Sequence, residues 1–128
     1  MRNDSIVYEK SFKFAKRIIK LYKFLVYEKK ERVISHQIMK SGTSIGANIS
    51  EATYAQSRKD FINKMSVALK EANETKYWIA LLEEEYISKK EADSLLSDVM
   101  EILKMLVSIV KNSKENEYYM VKDIESKE

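Results

Sequence analysis

The chain has 128 residues, enough for a single domain, with no proline, no cysteine and only two glycines. That composition suits long helices and excludes a disulfide scaffold or any thiolate metal site. The net charge of +3 is unevenly spread: residues 1–42 hold eleven Lys/Arg against four Asp/Glu, the rest twelve against sixteen. A basic N-terminal part over a mildly acidic remainder suits an anionic partner or an intersubunit complement.

The first helix is expected from Ile6 to Tyr27. The N-terminus shows no apolar h-region of a secretion signal, and the longest apolar run, Trp78 to Leu82, is far too short to span a membrane. No membrane is therefore expected as a partner, and a reducing cytoplasm is the expected location. At 100° per residue, Phe14, Ala15, Ile18, Ile19, Leu21, Tyr22, Leu25 and Val26 share a broad apolar face. The opposite face is cationic, and Lys13, Lys16, Arg17, Lys20 and Lys23 stand there with Phe24 and Tyr27. Cations for phosphates beside aromatics for bases is how single-stranded nucleic acid is commonly held, so these seven residues are the candidate nucleic-acid surface. The competing interpretation is a solvated lysine face, or one matched to an acidic protein.

The stretch "EKKER" ends that helix, and a second begins near Val33. Ile34, Ile38, Ile45, Ile49 and Ala52 hold one helical phase straight through Gly42 and Gly46. The glycines therefore lie in a helix. The spacing G-x-x-x-G with no following lysine also fails as a phosphate loop. Two helical glycines cost about 1 kcal/mol each relative to alanine; close helix approach at Gly42, Gly46 and Ala47 is the expected compensation. Asn48 and Glu51 flank the isoleucine stripe.

A third helix starts after Ser57, an N-cap with Asp60 three residues on, and buries Phe61, Met65, Ala68, Ala72, Ile79 and Tyr86. Val67, Trp78 and Leu81 form a second apolar patch off that stripe, with Glu74 among them. The fourth starts after Ser88 in a full capping box with Glu91, and buries Ala92, Leu95, Leu96, Val99, Leu103, Leu106 and Val110. Met100, Ile102, Val107 and Ile109 are surplus to that face. Short loops predict an antiparallel up-down-up-down four-helix bundle over residues 1–114. Residues 115–128 are expected to be a flexible tail whose Tyr118, Tyr119 and Met120 are placed to dock on a neighbour. The surplus apolar surface, with Val67, Trp78 and Leu81 at its centre, predicts a homo-oligomer.

Catalysis is not expected. The one histidine, His36, belongs to no Glu-x-x-His pair, which rules out a ferritin-like di-iron centre. One histidine and no cysteine assemble no nucleophilic set. No cofactor and no metal are implied.

Gln37, the run Ser44-Ile45-x-Ala47-Asn48-Ile49-x-Glu51, then Phe61, Ala68 and Glu74 carry a specific pattern. Over about Val7 to Lys114 it resembles the four-helix-bundle proteins encoded in intervening sequences of 23S rRNA genes and, more distantly, accessory proteins of diversity-generating retroelements. The chain departs from that family at Gly46, often Pro or Ala there, at Ala52, usually Gly, and at Lys70-Glu71, often Gly-Ser. The resemblance implies a homo-oligomeric ring, a pentamer in family examples. The expected function is a non-enzymatic oligomeric module that engages RNA or an RNA-handling partner through its basic helix faces, with a structural or protein-partner module that binds no nucleic acid as the alternative. Gln37, Ser44, Asn48, Glu51 and Glu74 enter as family-motif residues with packing roles.

Overall fold

The computed structural model describes the backbone of residues 2–127 and the side chains of residues 5–116. It is all-α: α1 (Arg2–Tyr27), α2 (Ile34–Thr53), α3 (Arg58–Leu82) and α4 (Lys89–Lys127) form a four-helix bundle. Each helix packs on the next, and α4 closes on α1 across the thinnest of the four contacts. Among the described residues there is no strand, only an isolated bridge between Glu83 and Ile87 in the α3–α4 connection. α1 begins before the expected Ile6. α4 continues through the segment expected to be a tail, so that backbone is helical. The side chains of Tyr118, Tyr119 and Met120 lie outside the described residues.

The helix starts follow from local chemistry. The Ser57 hydroxyl accepts the Asp60 N–H at 3.0 Å, and the Ser88 hydroxyl accepts the Glu91 N–H at 3.1 Å, satisfying donors that the first turn of a helix leaves free. α2 is capped differently. Its N-cap, Val33, offers no side-chain bond. The Glu31 carboxylate reaches forward instead and accepts the N–H groups of Val33 (3.1 Å), Ile34 (3.0 Å) and Ser35 (2.7 Å), while the Ser35 hydroxyl returns a bond to the Glu31 carbonyl at 2.8 Å. Burial pushes the Glu31 carboxyl up, but the donors from Ile34, Ser35 and Val33 outweigh it and hold its pKa below the ordinary carboxylate value. The α1–α2 turn needs a left-handed residue, and Lys30 supplies it at φ 57°.

The core runs the length of the bundle. Phe14, Ile18, Leu25, Ile38, Ile45, Ile49, Met65, Ile79, Leu95, Ile102 and Leu106 are essentially sealed from solvent. Truncating any of the aliphatic ones to alanine costs about 2–5 kcal/mol. The α2 stripe matches its expected phase, with only Ile34 half-buried. Elsewhere the phase differs. On α1 the buried row is Val7, Ser11, Phe14, Ile18, Leu21 and Leu25, and Ile19 is exposed, because the α2 contact is narrower than the apolar arc. On α3, Ile62 takes the buried place expected of Phe61, and Thr75 joins the row with its hydroxyl 2.9 Å from that of Ser41. Ile102 and Ile109 are core, not surplus; Val107 is exposed and Met100 half-buried.

Both glycines sit where α2 meets α1. A Cβ on Gly42 would stand 2.9 Å from Ile18 Cγ1, and one on Gly46 would stand 3.0 Å from Ser11 Oγ. Ala47, expected in the same contact, is exposed instead.

Candidate nucleic-acid interface

The outer face of α1 is set by that packing. With Ile18 and Ser11 turned toward α2, and Lys10 and Arg17 turned toward α4, Lys13, Lys16, Lys20 and Lys23 point to solvent. All four are exposed, and none forms an ion pair among the described residues. Lys10 pairs with Glu101 across the α1–α4 contact. The Lys16 ammonium lies 5.0 Å from the centre of the Phe12 ring, and Lys29 lies 5.7 Å from that of Phe24. Such cation–π contacts hold long side chains against the helix without removing their charge.

Phe24 and Tyr27 are 39% and 68% exposed, too open to be core and available to a stacking partner. Phe24 lines a groove of about 540 Å³ between α1 and the α3–α4 connection, together with Lys20, Lys29, Tyr86 and Glu91. A larger cleft of about 1180 Å³ at the other end of the bundle is lined by Tyr8, Glu9, Tyr54, Arg58 and Asn112 among others.

Arg17 leaves the expected set. Its guanidinium donates to Asp98 Oδ2 at 2.7 Å and to the Ser94 carbonyl at 3.4 Å, and stands 3.6 Å from Glu91. The fork is engaged on α4, where it reinforces the thinnest helix contact, unlike the four unpaired lysines.

The motif residues of α2 and α3 lie elsewhere. Gln37, Ser44, Asn48 and Glu51 share one helical face at steps of seven, four and three. The Ser44 hydroxyl donates to the Lys40 carbonyl at 2.6 Å, and the Asn48 amide donates to the Ser44 carbonyl at 2.8 Å. Glu51 meets Lys64 of α3 at 3.3 Å. Gln37 and Glu74 are exposed. Val67 and Trp78 are half-buried and Leu81 is 45% exposed. The Trp78 indole N–H is buried without a partner among the described residues. Burial and the neighbouring Glu74 push the Glu71 carboxyl above its ordinary range, partly offset by Lys40 and Lys70.

His36 is exposed, and no group of His, Asp and Glu among the described residues is arranged to hold a metal. No helix among them is long and apolar enough to cross a membrane. The fold and this surface define a four-helix-bundle protein with a cationic outer helix.

Residues 3–108 match the family model of the 23S rRNA-intervening sequence protein, and the chain belongs to that family. Among solved structures it is similar to a protein of unknown function from the S23 ribosomal protein family of Bacteroides thetaiotaomicron. The two are 59% identical with a TM-score of 0.83, over 85% of this chain and 98% of that one. Comparison with curated proteins finds no match.

Proposed function

We propose that this protein is a cytoplasmic, non-enzymatic, homo-oligomeric module that engages RNA through the outer face of α1. The observation that carries the reading is the exposure of Lys13, Lys16, Lys20 and Lys23 without acidic partners, beside the open rings of Phe24 and Tyr27. Phosphates would meet the ammonium groups, and unpaired bases would stack on the rings. The bundle is antiparallel up-down-up-down in this reading, supported by residue pairs whose numbers run oppositely. Ile18 and Ser11 face Gly42 and Gly46; Thr75 and Lys64 face Ser41 and Glu51. A homo-oligomeric ring, five-membered as the resemblance implies, repeats the face around an axis, so weak contacts add by avidity. Its support within one copy is the apolar patch of half-buried Val67 and Trp78 with exposed Leu81.

A mobility-shift experiment with single-stranded and structured RNA, at low and moderate salt, tests the proposal. Binding should weaken as salt rises and be lost in Lys13→Glu/Lys20→Glu. No binding at low salt, or binding indifferent to that double variant, would overturn it. Co-purification of one defined acidic protein after nuclease treatment would favour a protein-partner module instead.

A further inference from the structure

The groove beside Phe24 has the parts of a pocket for a nucleic-acid base. Arg17, Lys20, Leu21 and Phe24 line it from α1 at i, i+3, i+4 and i+7, one face of that helix. Tyr86 and Ile87 line it from the α3–α4 connection, and Glu91 from the first turn of α4. Leu21 and Ile87 are buried and give the groove an apolar floor, while Phe24 is 39% exposed and Tyr86 half-buried. Its volume of about 540 Å³ falls within the ~300–1,000 Å³ of small-molecule sites.

The connection is held by its own backbone. The N–H groups of Tyr86 and Ile87 both donate to the Leu82 carbonyl, at 3.0 and 3.2 Å, and the Glu84 N–H donates to the Ile87 carbonyl at 3.0 Å. A wall fixed in this way loses little freedom when a ligand enters.

The charged residues divide by role. Lys20 belongs both to the groove and to the lysine face of α1, so a phosphate held there brings its own base to the groove. Lys29 adds a second cation at 5.7 Å from the centre of the Phe24 ring. Among the described residues lining the groove, Glu91 alone is acidic. Arg17, itself bonded to Asp98, stands 3.6 Å from Glu91 Oε1. That is beyond hydrogen-bond distance, so both carboxylate oxygens keep acceptor sites. A carboxylate accepts and does not donate. Uracil would offer it one ring N–H between two repelling carbonyls; adenine and cytosine would offer an amino group beside a repelling ring nitrogen. Guanine presents two neighbouring donors, N1–H and the N2 amino group, on the edge that single-stranded recognition reads.

We infer that this groove takes a guanine base, stacked on Phe24, with N1–H and the N2 amino group donating to Glu91 and the phosphate at Lys20. This rests on the RNA reading of α1 and deepens it by naming the base.

Fluorescence anisotropy at low salt compares short labelled oligouridine strands that carry one central guanosine, adenosine or inosine. A two-bond base contact discriminates by about tenfold, so the guanosine strand should bind about tenfold tighter than the adenosine strand. Inosine, which keeps N1–H but lacks the amino group, should fall between them. In Glu91→Gln, shown to be helical by circular dichroism, the preference should drop to about twofold or less, because the uncharged amide is a weaker acceptor and its NH2 repels a donor. Equal binding of the three strands, or a preference that Glu91→Gln leaves intact, would overturn the pocket and leave the RNA reading standing. No strand bound at low salt would overturn the RNA reading. The pocket then stands if saturation-transfer NMR shows guanosine monophosphate bound and adenosine monophosphate not, and falls if the two behave alike.

Discussion

Gly42 and Gly46 occupy one stripe of α2, yet alanine at the two positions should have different effects. A Cβ at Gly42 would stand 2.9 and 3.0 Å from the two γ carbons of Ile18 and 3.3 Å from its Cβ, well inside the ~3.5–4.0 Å of an ordinary carbon contact. Ile18 is fully buried, and a helical isoleucine has essentially one χ1 rotamer, so no rotation clears both branches. The helices must separate. Overpacking of this kind costs about 1–3 kcal/mol, against a gain of about 1 kcal/mol from replacing a helical glycine. Gly42→Ala should therefore destabilise by about 1 kcal/mol. At Gly46 the close atom is the Ser11 hydroxyl at 3.0 Å, and the Ser11 Cβ is at a comfortable 3.6 Å. One hydroxyl moving a few tenths of an ångström relieves that contact, so Gly46→Ala should be neutral or stabilising by up to about 0.5 kcal/mol once the propensity gain is counted. Urea denaturation at fixed protein concentration, with equal slopes, reads the difference. In an Ile18→Ala background Gly42→Ala should become stabilising. Equal stabilities for the two glycine variants, or no coupling to Ile18, would refute the close-approach argument.

Three further outcomes follow from the helix ends. Glu31→Gln should cost about 1 kcal/mol at pH 7, as loss of a good cap does. Because the folded-state pKa of Glu31 is depressed, its contribution is present above the unfolded value of about 4.3 and fades as pH falls through the folded value. Acid denaturation curves of wild type and Glu31→Gln should therefore converge only once the pH has fallen below the depressed folded value. Ser57→Ala and Ser88→Ala should each lose about 1 kcal/mol, measurable by thermal denaturation, since each removes a bond to a first-turn N–H. Lys30→Gly should raise stability by about 0.5 kcal/mol, because glycine meets φ 57° without steric cost, whereas Lys30→Val should lower it.

Much of the fold was legible because helical phase and caps are local. The isoleucine row of α2 and the serine caps of α3 and α4 need no knowledge of partners. The α2 start near Val33 was legible, but its cap was not, because it is a carboxylate two residues ahead of Val33 and itself buried, which charged side chains seldom are. The turn of Arg17 toward Asp98 depends on the register of α1 against α4, which no local pattern carries. Ile102 and Ile109 looked surplus because a long helix facing two neighbours buries a wider arc than one stripe allows. For the same reason Ile19 and Tyr22 were counted with the α1 core: they are apolar either way, and only packing separates them from the buried row. The cationic face was legible as composition, but its loss of Arg17 was not.

The measurement closest to the central claim is the salt dependence of single-stranded RNA affinity, followed by fluorescence anisotropy. Each phosphate contact contributes about 0.7 to the slope of log affinity against log salt on single strands. A steep negative slope is expected for the wild-type protein. In Lys13→Ala/Lys20→Ala that slope should shrink by at least about 1.4 with the oligomer intact. A slope near zero, or one that the double variant leaves unchanged, would contradict it.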